Sequence, residues 1–246
     1  MTIPEMSDQM DVLYNNITSN QAPGLTEYEK SLFLTKAEKE IVLNHFSPES
    51  KGNALQQGFD DSAKRQADFS VLMKTASCTQ VATDLPTKID DRSTVYNYPE
   101  GVFIVINETV KVGNNIKQVI PLRYDEYTRL MSKPYKRPLK NQVWRLLNSG
   151  VVSQAKSTRT VEIIAGPEDT ITSYVVRYIK TPAPIIVGNL DGLTIDGVST
   201  VSTECELDPI LHEEIVQRAV ELAKIAWTST GQDNTNVVLQ TGVRSE

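Results

Sequence analysis

The chain has 246 residues, 39% of them apolar, 7% aromatic and 23% charged, an ordinary globular composition with enough length to bury a sizeable core, so disorder throughout is excluded. Twelve Gly and twelve Pro at no fixed period exclude a collagen-like or low-complexity chain and leave one domain or two small ones. Twenty-five Lys and Arg against 31 Asp and Glu give a net charge of −6, which opposes a nucleic-acid coat over most of the surface and leaves room only for a local basic patch.

No apolar run approaches the roughly 18 residues of a membrane span, and acids stand near the N-terminus where a secretory signal would carry cations. A soluble protein made in a cytoplasm is the expectation. Cys78 and Cys205 are too few and too far apart for a disulfide framework or a zinc ribbon, so reduced thiols are expected.

In chain order, Met6, Met10, Leu13 and Ile17 form a first helical stripe, broken by Asn20 to Gly24. Thr26 and Glu29 have the spacing of a capping box and predict a second helix from Glu27 to Phe46. Its apolar arc (Tyr28, Leu32, Phe33, Leu34, Ala37, Ile41, Phe46) is wide enough to meet two neighbours. After a turn at Ser47 to Gly52, the spacing of Leu55, Phe59, Ala63, Phe69, Leu72 and Met73 predicts a third helix over Asn53 to Thr75. Three helices with short polar loops predict a small antiparallel bundle over residues 1–80.

From Val81 the pattern becomes short β-branched and aromatic runs punctuated by Pro86, Pro99, Pro121, Pro134 and Pro138, which predicts a β-rich insertion over residues 81–203. Val102 to Val112 and Ile116 to Leu122 flank Gly113-Asn114-Asn115 as a hairpin with a short loop. Tyr124 to Met131 reads as one or two helical turns, and Gln142 to Asn148, Thr160 to Ala165 and Ser173 to Lys180 read as three more strands. A meander or small antiparallel sheet is expected. Pro182 and Pro184 end the last strand and make Ile185-Ile186-Val187 either an edge strand or a packed loop. Gly188 to Thr203 is a Gly/Asp/Thr-rich loop with room for a short hairpin at Thr194-Ile195.

Asp208 as N-cap, Pro209 at the first helical position and Glu213 and Glu214 in the first turn open a last helix over residues 204–230, with Leu211, Ile215, Ala219, Leu222 and Ala226 on one face for packing on the N-terminal helices. Residues 231–246 form an extended polar tail around one β-prone island, Val237-Val238-Leu239. The fold class read from the sequence is therefore α+β: an N-terminal antiparallel helical bundle completed by a C-terminal helix, with an inserted antiparallel β-rich region.

The residues that carry most enzyme chemistry are sparse. His212-Glu213-Glu214-Ile215-Val216 begins like an H-E-x-x-H zinc helix but has Val at the second ligand position, so His212 reads as a polar residue in a charged first turn. His45 reads as a helix-end cation, and the two cysteines as small buried hydrophobes. No Gly-x-Gly-x-x-Gly, Gly-Lys-Ser/Thr or Gly-x-Ser-x-Gly motif is present. Asp60-Asp61, Asp90-Asp91 and Glu213-Glu214 are adjacent in sequence, so neither member of a pair faces the other's way, and solvated charge is the reading. The sequons at Asn16 and Asn107 carry no meaning without a secretory signal. No catalytic residue, metal ligand or cofactor is assigned.

Charge is uneven. Between Arg123 and Arg145 stand seven basic residues, Lys133, Lys136, Arg137 and Lys140 among them, against two acids, with Tyr135 and Trp144 interleaved. This basic patch is compatible with a phosphate backbone. From Glu204 to Lys224 six acids stand against Arg218 and Lys224. Opposite patches on one subunit suit a head-to-tail contact between identical copies, which closes into a ring if the rotation permits; two unrelated solvated faces are the other reading.

The segment from Met10 to Ala37 (Met10-Asp11-Val12-Leu13-Tyr14-Asn15-Asn16-Ile17 through Leu32-Phe33-Leu34-Thr35-Lys36-Ala37) resembles structural proteins of crAss-like tailed bacteriophages. Tyr127 to Pro138 with its Lys-Pro-Tyr-Lys-Arg-Pro core, Tyr178-Ile179-Lys180-Thr181-Pro182-Ala183-Pro184-Ile185, and Glu214-Ile215-Val216-Gln217-Arg218-Ala219-Val220 are similar to the same family in the same order. The family is that of virion ring or adaptor proteins at the head-to-tail junction. The resemblance implies a virion protein without an active site, assembled as a homo-oligomeric, dodecameric ring that joins the portal protein to other ring or tail proteins around the genomic DNA. On that reading Val237, Val238 and Leu239 contact a neighbouring subunit or the portal by adding a strand, and Lys133, Lys136, Arg137 and Lys140 face an acidic partner or the DNA channel. A tail-proximal ring or minor capsid component is the main alternative, and a nucleic-acid-binding phage protein a further one.

Overall fold

A computed structural model describes residues 1–17, 24–46, 67–81, 88–90, 93–133, 135, 141–148, 160–166, 169–199 and 201–228. Along the chain run α1 (Ile3–Ile17), α2 (Glu27–Phe46), a 3-10 turn (Ser70–Leu72), β1 (Met73–Ser77), β2 (Thr79–Gln80), β3 (Thr94–Asn97), β4 (Val102–Val112), β5 (Asn115–Leu122), α3 (Tyr124–Met131), β6 (Gln142–Asn148), β7 (Thr160–Ile164), β8 (Ile171–Lys180), a 3-10 turn (Pro209–Leu211) and α4 (His212–Thr228). Two compact units result, one of Met1–Leu72 with Pro182–Glu246, the other of Met73–Thr181.

The second unit is one eight-stranded sheet in the order β1-β8-β4-β5-β6-β7-β3-β2. β1 and β2 are separated only by Cys78, yet β1 pairs with β8 at one end of that order and β2 with β3 at the other. The single segment 73–80 thus serves both edges, and the sheet becomes a nearly closed barrel, which removes most of the unpaired backbone an open sheet would present. Every pairing is antiparallel except β5 with β6, where Gln118 to Leu122 lie parallel to Gln142 to Leu146. Parallel neighbours need a crossover rather than a hairpin, and the chain through α3 is that crossover.

Alternation along the strands fills the barrel and covers one wall. Tyr96, Val110, Val119, Val143, Val161, Ile163, Tyr174 and Val176 meet in the interior. The opposite faces of β6 and β7 supply Trp144, Leu146 and Ile164 to a second cluster, which α3 covers with Tyr127, Leu130 and Met131. β7 is consequently buried on both faces along its whole length.

In the first unit, α1 and α2 each pack against α4. The capping box is formed as the sequence predicts: Thr26 N donates to Glu29 Oε2 at 2.8 Å, and Glu29 N to Thr26 Oγ1 at 3.3 Å. Asp208 caps its 3-10 turn by accepting from Ile210 N at 3.0 Å, so the regular helix begins four residues later, at His212. Ile3, Met6, Met10 and Tyr14 form the buried stripe of α1, with Tyr14 rather than Leu13 in the third turn.

The sequence-based fold class is corrected on two points. Among the described residues there is no N-terminal helical bundle: 53–66 of the expected third helix lies outside them, while Ser70–Leu72 is a 3-10 turn and Met73 onward is strand. Phe69 and Leu72 are buried, so their helical spacing was a packing signal of a turn, and the ladder of Met73 to Ser77 with Ile179 to Val175 overrides local helical preference. Nor is the β region an antiparallel meander, because the β5–β6 pair makes it a mixed, nearly closed barrel.

Several individual elements do match their predicted spans: α2, α3, β4 and β6 coincide with the runs read from the sequence, and the β4–β5 hairpin turns at Gly113 with a φ of 57°. The Ile185-Ile186-Val187 run is a packed segment rather than an edge strand. Ile185 and Ile186 are fully buried, and Ile186 makes an isolated bridge to Thr203. The expected turn at Ser47 to Gly52 and the tail from residue 231 lie outside the described residues.

Candidate functional site

The barrel interior holds a charged network. Arg145 Nη1 on β6 donates to Glu108 Oε1 on β4 at 2.9 Å and to Tyr98 Oη at 2.6 Å, while Tyr174 Oη donates to Glu108 Oε1 at 2.9 Å. Tyr98 Oη also donates to Glu108. A buried carboxylate is tolerable when a cation and several donors compensate it, and here one guanidinium and two phenols do so. Burial and the adjacent Glu108 charge push the Tyr98 phenol up to about 12, and Tyr174 higher still. These phenols stay protonated and act as donors. At the rim, Lys117 of β5 pairs with Asp169 at 2.5 Å.

Outside the barrel wall, Glu162 of β7 is fully buried and anchors the 88–93 segment: Oε1 accepts from Ile89 N at 3.0 Å, from Asp90 N at 3.3 Å and from Ser93 Oγ. Asp90 accepts from Tyr127 Oη at 3.1 Å, so it is a structural acceptor for α3 rather than solvated charge.

In the first unit, α2 carries a buried polar stripe. Thr35 Oγ1 accepts from Ile185 N at 3.1 Å and Ser31 Oγ from Val187 N at 2.9 Å, and Glu38 Oε1 accepts from Cys205 Sγ at 3.4 Å. Ser31 and Thr35 thus bind the extended segment that runs alongside them, as a neighbouring strand would, while Glu38 meets the Cys205 thiol. Glu38 is fully buried, its Oε2 meets no partner, and burial raises its pKa to about 7. Burial likewise pushes both thiols, Cys78 and Cys205, up to about 12, which makes them poor nucleophiles at neutral pH. His212 opens α4 and is buried, its two ring nitrogens lying 3.1 Å from the carbonyl oxygens of Met1 and Leu207, so it ties the helix start to the chain around it.

An open groove of about 360 Å³ runs between α2 and α4, lined by Glu40, Ile41, Asn44, Glu214, Gln217, Arg218 and Glu221. Arg218 holds Glu40 through Nε (3.0 Å) and Nη2 (2.5 Å) and Glu221 through Nη1 (2.7 Å), so the cation in the groove is fully engaged.

The basic cluster read from the sequence is divided by the fold. Arg123, Arg129 and Lys133 are exposed, and Tyr135 is 95% exposed, whereas Arg145 points into the barrel network and Trp144 lies in the cluster beneath α3. Lys136, Arg137 and Lys140, and with them Val237, Val238 and Leu239, lie outside the described residues. The acidic stretch is divided in the same way. Glu206 accepts from Ala183 N and Asp208 is a cap, leaving Glu204, Glu213, Glu214 and Glu221 exposed, the last paired with Arg218. Among the described residues no three His, Cys, Asp or Glu side chains gather as a metal set, and no helix is long and apolar enough to cross a membrane. Composition gave no warning of the exposed apolar side chains Leu43, Tyr124, Leu147 and Ile210.

Glu108, Arg145, Tyr98 and Tyr174 bond to one another inside the barrel, and comparison with known proteins supplies the class of the chain. The chain belongs to the family described as phage tail ring protein 3/4, whose model matches residues 1–236. It is 50% identical over 251 residues, 100% of each chain, to ring protein 4/5 of Bacteroides phage crAss001. It is also 31% identical to ring protein 3 of the same phage over 238 residues, 93% of this chain and 97% of the relative.

Proposed function

We propose that this chain is a structural virion protein that assembles as a closed ring of identical copies at the junction of portal and tail, binds the portal protein and further ring or tail proteins, and encircles the path of the genome. The observation that carries the reading is the full-length 50% identity to a protein named for a ring, together with the family match over nearly the whole chain. The internal commitment of Glu108, Arg145, Tyr98 and Tyr174 agrees with a scaffold that must keep its shape in a large assembly.

The ring is a dodecamer on this reading. Val237, Val238 and Leu239 add a strand to a neighbouring subunit or to the portal, and Lys133, Lys136, Arg137 and Lys140 face an acidic neighbour or the DNA. The family description, a tail ring protein, favours one second reading: a ring further down the tail that never touches the portal.

Negative-stain imaging of the purified protein with and without its phage's portal separates these readings. Rings that form on the portal support the first; rings that form alone and ignore the portal support the second. Removing residues 231–246 is expected to leave a folded protein that no longer joins the portal, and normal portal binding by the truncated chain overturns the role of the tail. Charge reversal at Lys136 and Arg137 that leaves assembly and genome retention unchanged overturns the role of the basic patch.

A further inference from the structure

We infer that the open edge of β4, Val102 to Asn107, receives the Val237-Val238-Leu239 island of the next copy as an added strand; the inference rests on the ring reading above and names the surface the tail meets. β4 pairs with β8 from Val102 to Val112, but on its other side β5 reaches only Thr109 to Val112. From Gln118 onward β5 lies along β6 instead. Among the described residues, Val102 to Asn107 therefore have one paired edge and one edge with no strand beside it.

The sequence explains why the barrel opens here. Gln118 N donates to Asn141 O at 3.2 Å, so Gln118 points its backbone at β6, and by alternation Val119 and Pro121 point theirs toward β4. Proline has no N–H to give, so β5 cannot continue a full ladder with β4 at Pro121. β4 in turn carries an extra residue relative to β8 at Phe103 and at Ile106, and such bulges bend a strand. The edge of β5 is thus blunted by proline, whereas Val102 to Asn107 contain neither the proline nor the charge that usually protects an edge. Phe103 and Ile104 are half-buried and Ile106 is 48% exposed. The ligand for such an edge is an uncharged, apolar strand, whose backbone hydrogen bonds supply affinity and whose alternate side chains supply the fit.

The chain itself carries one such segment outside the described residues. Val237-Val238-Leu239 is the only run of three apolar residues there, and Asn234 to Val243 contain no charge to be desolvated at the edge. Eight residues separate Thr228, the end of α4, from Val237, and nine extended steps span up to about 30 Å, enough to carry the island past α4 to a neighbouring copy. Edge and island belong to different parts of the chain, so each copy gives one and receives the other. That contact is heterologous, and heterologous contacts close into rings when the rotation permits.

The test is disulfide capture between full-length chains. Ile106→Cys is mixed with Val237→Cys, Val238→Cys or Leu239→Cys under mild oxidation, against a background set by Ile106→Cys with the wild type. A two-chain species above that background is expected for at least one of the three, since facing residues of paired strands bring Cβ atoms within about 4.5–5.5 Å. Val238→Pro is expected to keep the wild-type circular dichroism spectrum, to lower ring assembly in sedimentation by about tenfold or more, and to speed amide exchange at Val102 to Asn107. Val238→Ile is expected to leave assembly and exchange at their wild-type values.

No link between copies at any of the three tail positions overturns the contact and leaves the ring reading intact, as does a link that forms only within one chain carrying both substitutions. Capture of the tail by the portal, with no link between copies, overturns the contact and leaves the portal half of the reading above. A wild-type chain that forms no ring alone, with the portal or with other virion proteins overturns both.

Discussion

Glu108 in the barrel and Glu38 on α2 are both buried carboxyls, and the two regions treat them in opposite ways. Around Glu108 converge Arg145, Tyr98 and Tyr174, so one guanidinium and two phenols meet its carboxyl oxygen. Around Glu38 there is a thiol at 3.4 Å, the acidic Glu206, Lys39 on the same helix, and one oxygen without a partner, so burial drives the carboxyl toward its neutral form. The barrel thus surrounds its buried acid with donors, while the helical unit carries a titrating group on α2 against the Cys205 thiol. A buried ion pair defines one arrangement of strands; a lone buried acid leaves the stability of its region dependent on a proton.

Breaking the compensated site should have the larger effect. Arg145→Met leaves the Glu108 carboxylate inside the barrel with phenols alone, and about 3–5 kcal/mol of barrel stability is expected to be lost in urea denaturation at neutral pH. A loss below about 1 kcal/mol would show that the network is not what holds β4 to β6 across the barrel.

Glu38 sharpens the contrast through its pH dependence. Its folded pKa, about 7, lies above its ordinary value of 4.5, so the unfolded chain releases the proton first as pH rises. The stability contributed by neutral Glu38 is full below pH 4.5, is lost as pH rises through 7, and amounts to about 3 kcal/mol at most. Glu38→Gln is expected to remove that slope and to raise the midpoint at pH 8. A variant with the same pH profile as the wild type would remove Glu38 from the account.

Smaller effects test the rest of the α2 stripe. Thr35→Val removes the partner of Ile185 N and is expected to cost about 1–3 kcal/mol, read as faster amide exchange at Ile185 and Val187. At the bottom of the range, Glu221→Ala removes an exposed partner of Arg218 that is 57% accessible, and no more than about 0.5 kcal/mol is expected in a thermal melt because Glu40 keeps the guanidinium.

The same comparison explains what the sequence could and could not reveal. Local chemistry was legible: Thr26 and Glu29 announced the start of α2, Gly113 and Asn114 the hairpin, and the run from Ser173 to Lys180 the strand β8. Pairing between distant segments was not. Nothing in the spelling of Met73 to Gln80 says that one stretch pairs with β8 through its first half and β3 through its second, and this closes the barrel. The sequence offered no sign that β6 lies parallel to β5.

Ser31 and Thr35 stand outside the apolar arc read on α2, and polarity alone does not distinguish a wet surface from a stripe that binds an adjacent backbone. The charge clusters were visible as counts, but the fold decides which members face outward: Arg145 belongs to the barrel interior and Arg129 to its surface. The functional class, finally, was legible through resemblance and not through chemistry, because a scaffold leaves no catalytic motif to find.

The central claim is that this chain closes into a ring. Native mass spectrometry of the purified full-length protein, alone and after mixing with its phage's portal, tests it most directly. A single closed oligomer, formed alone or on the portal, with a mass that is a fixed multiple of the 27.4 kDa chain, is the predicted result. A monomer that remains a monomer with the portal, with the other virion proteins and with DNA would contradict the account.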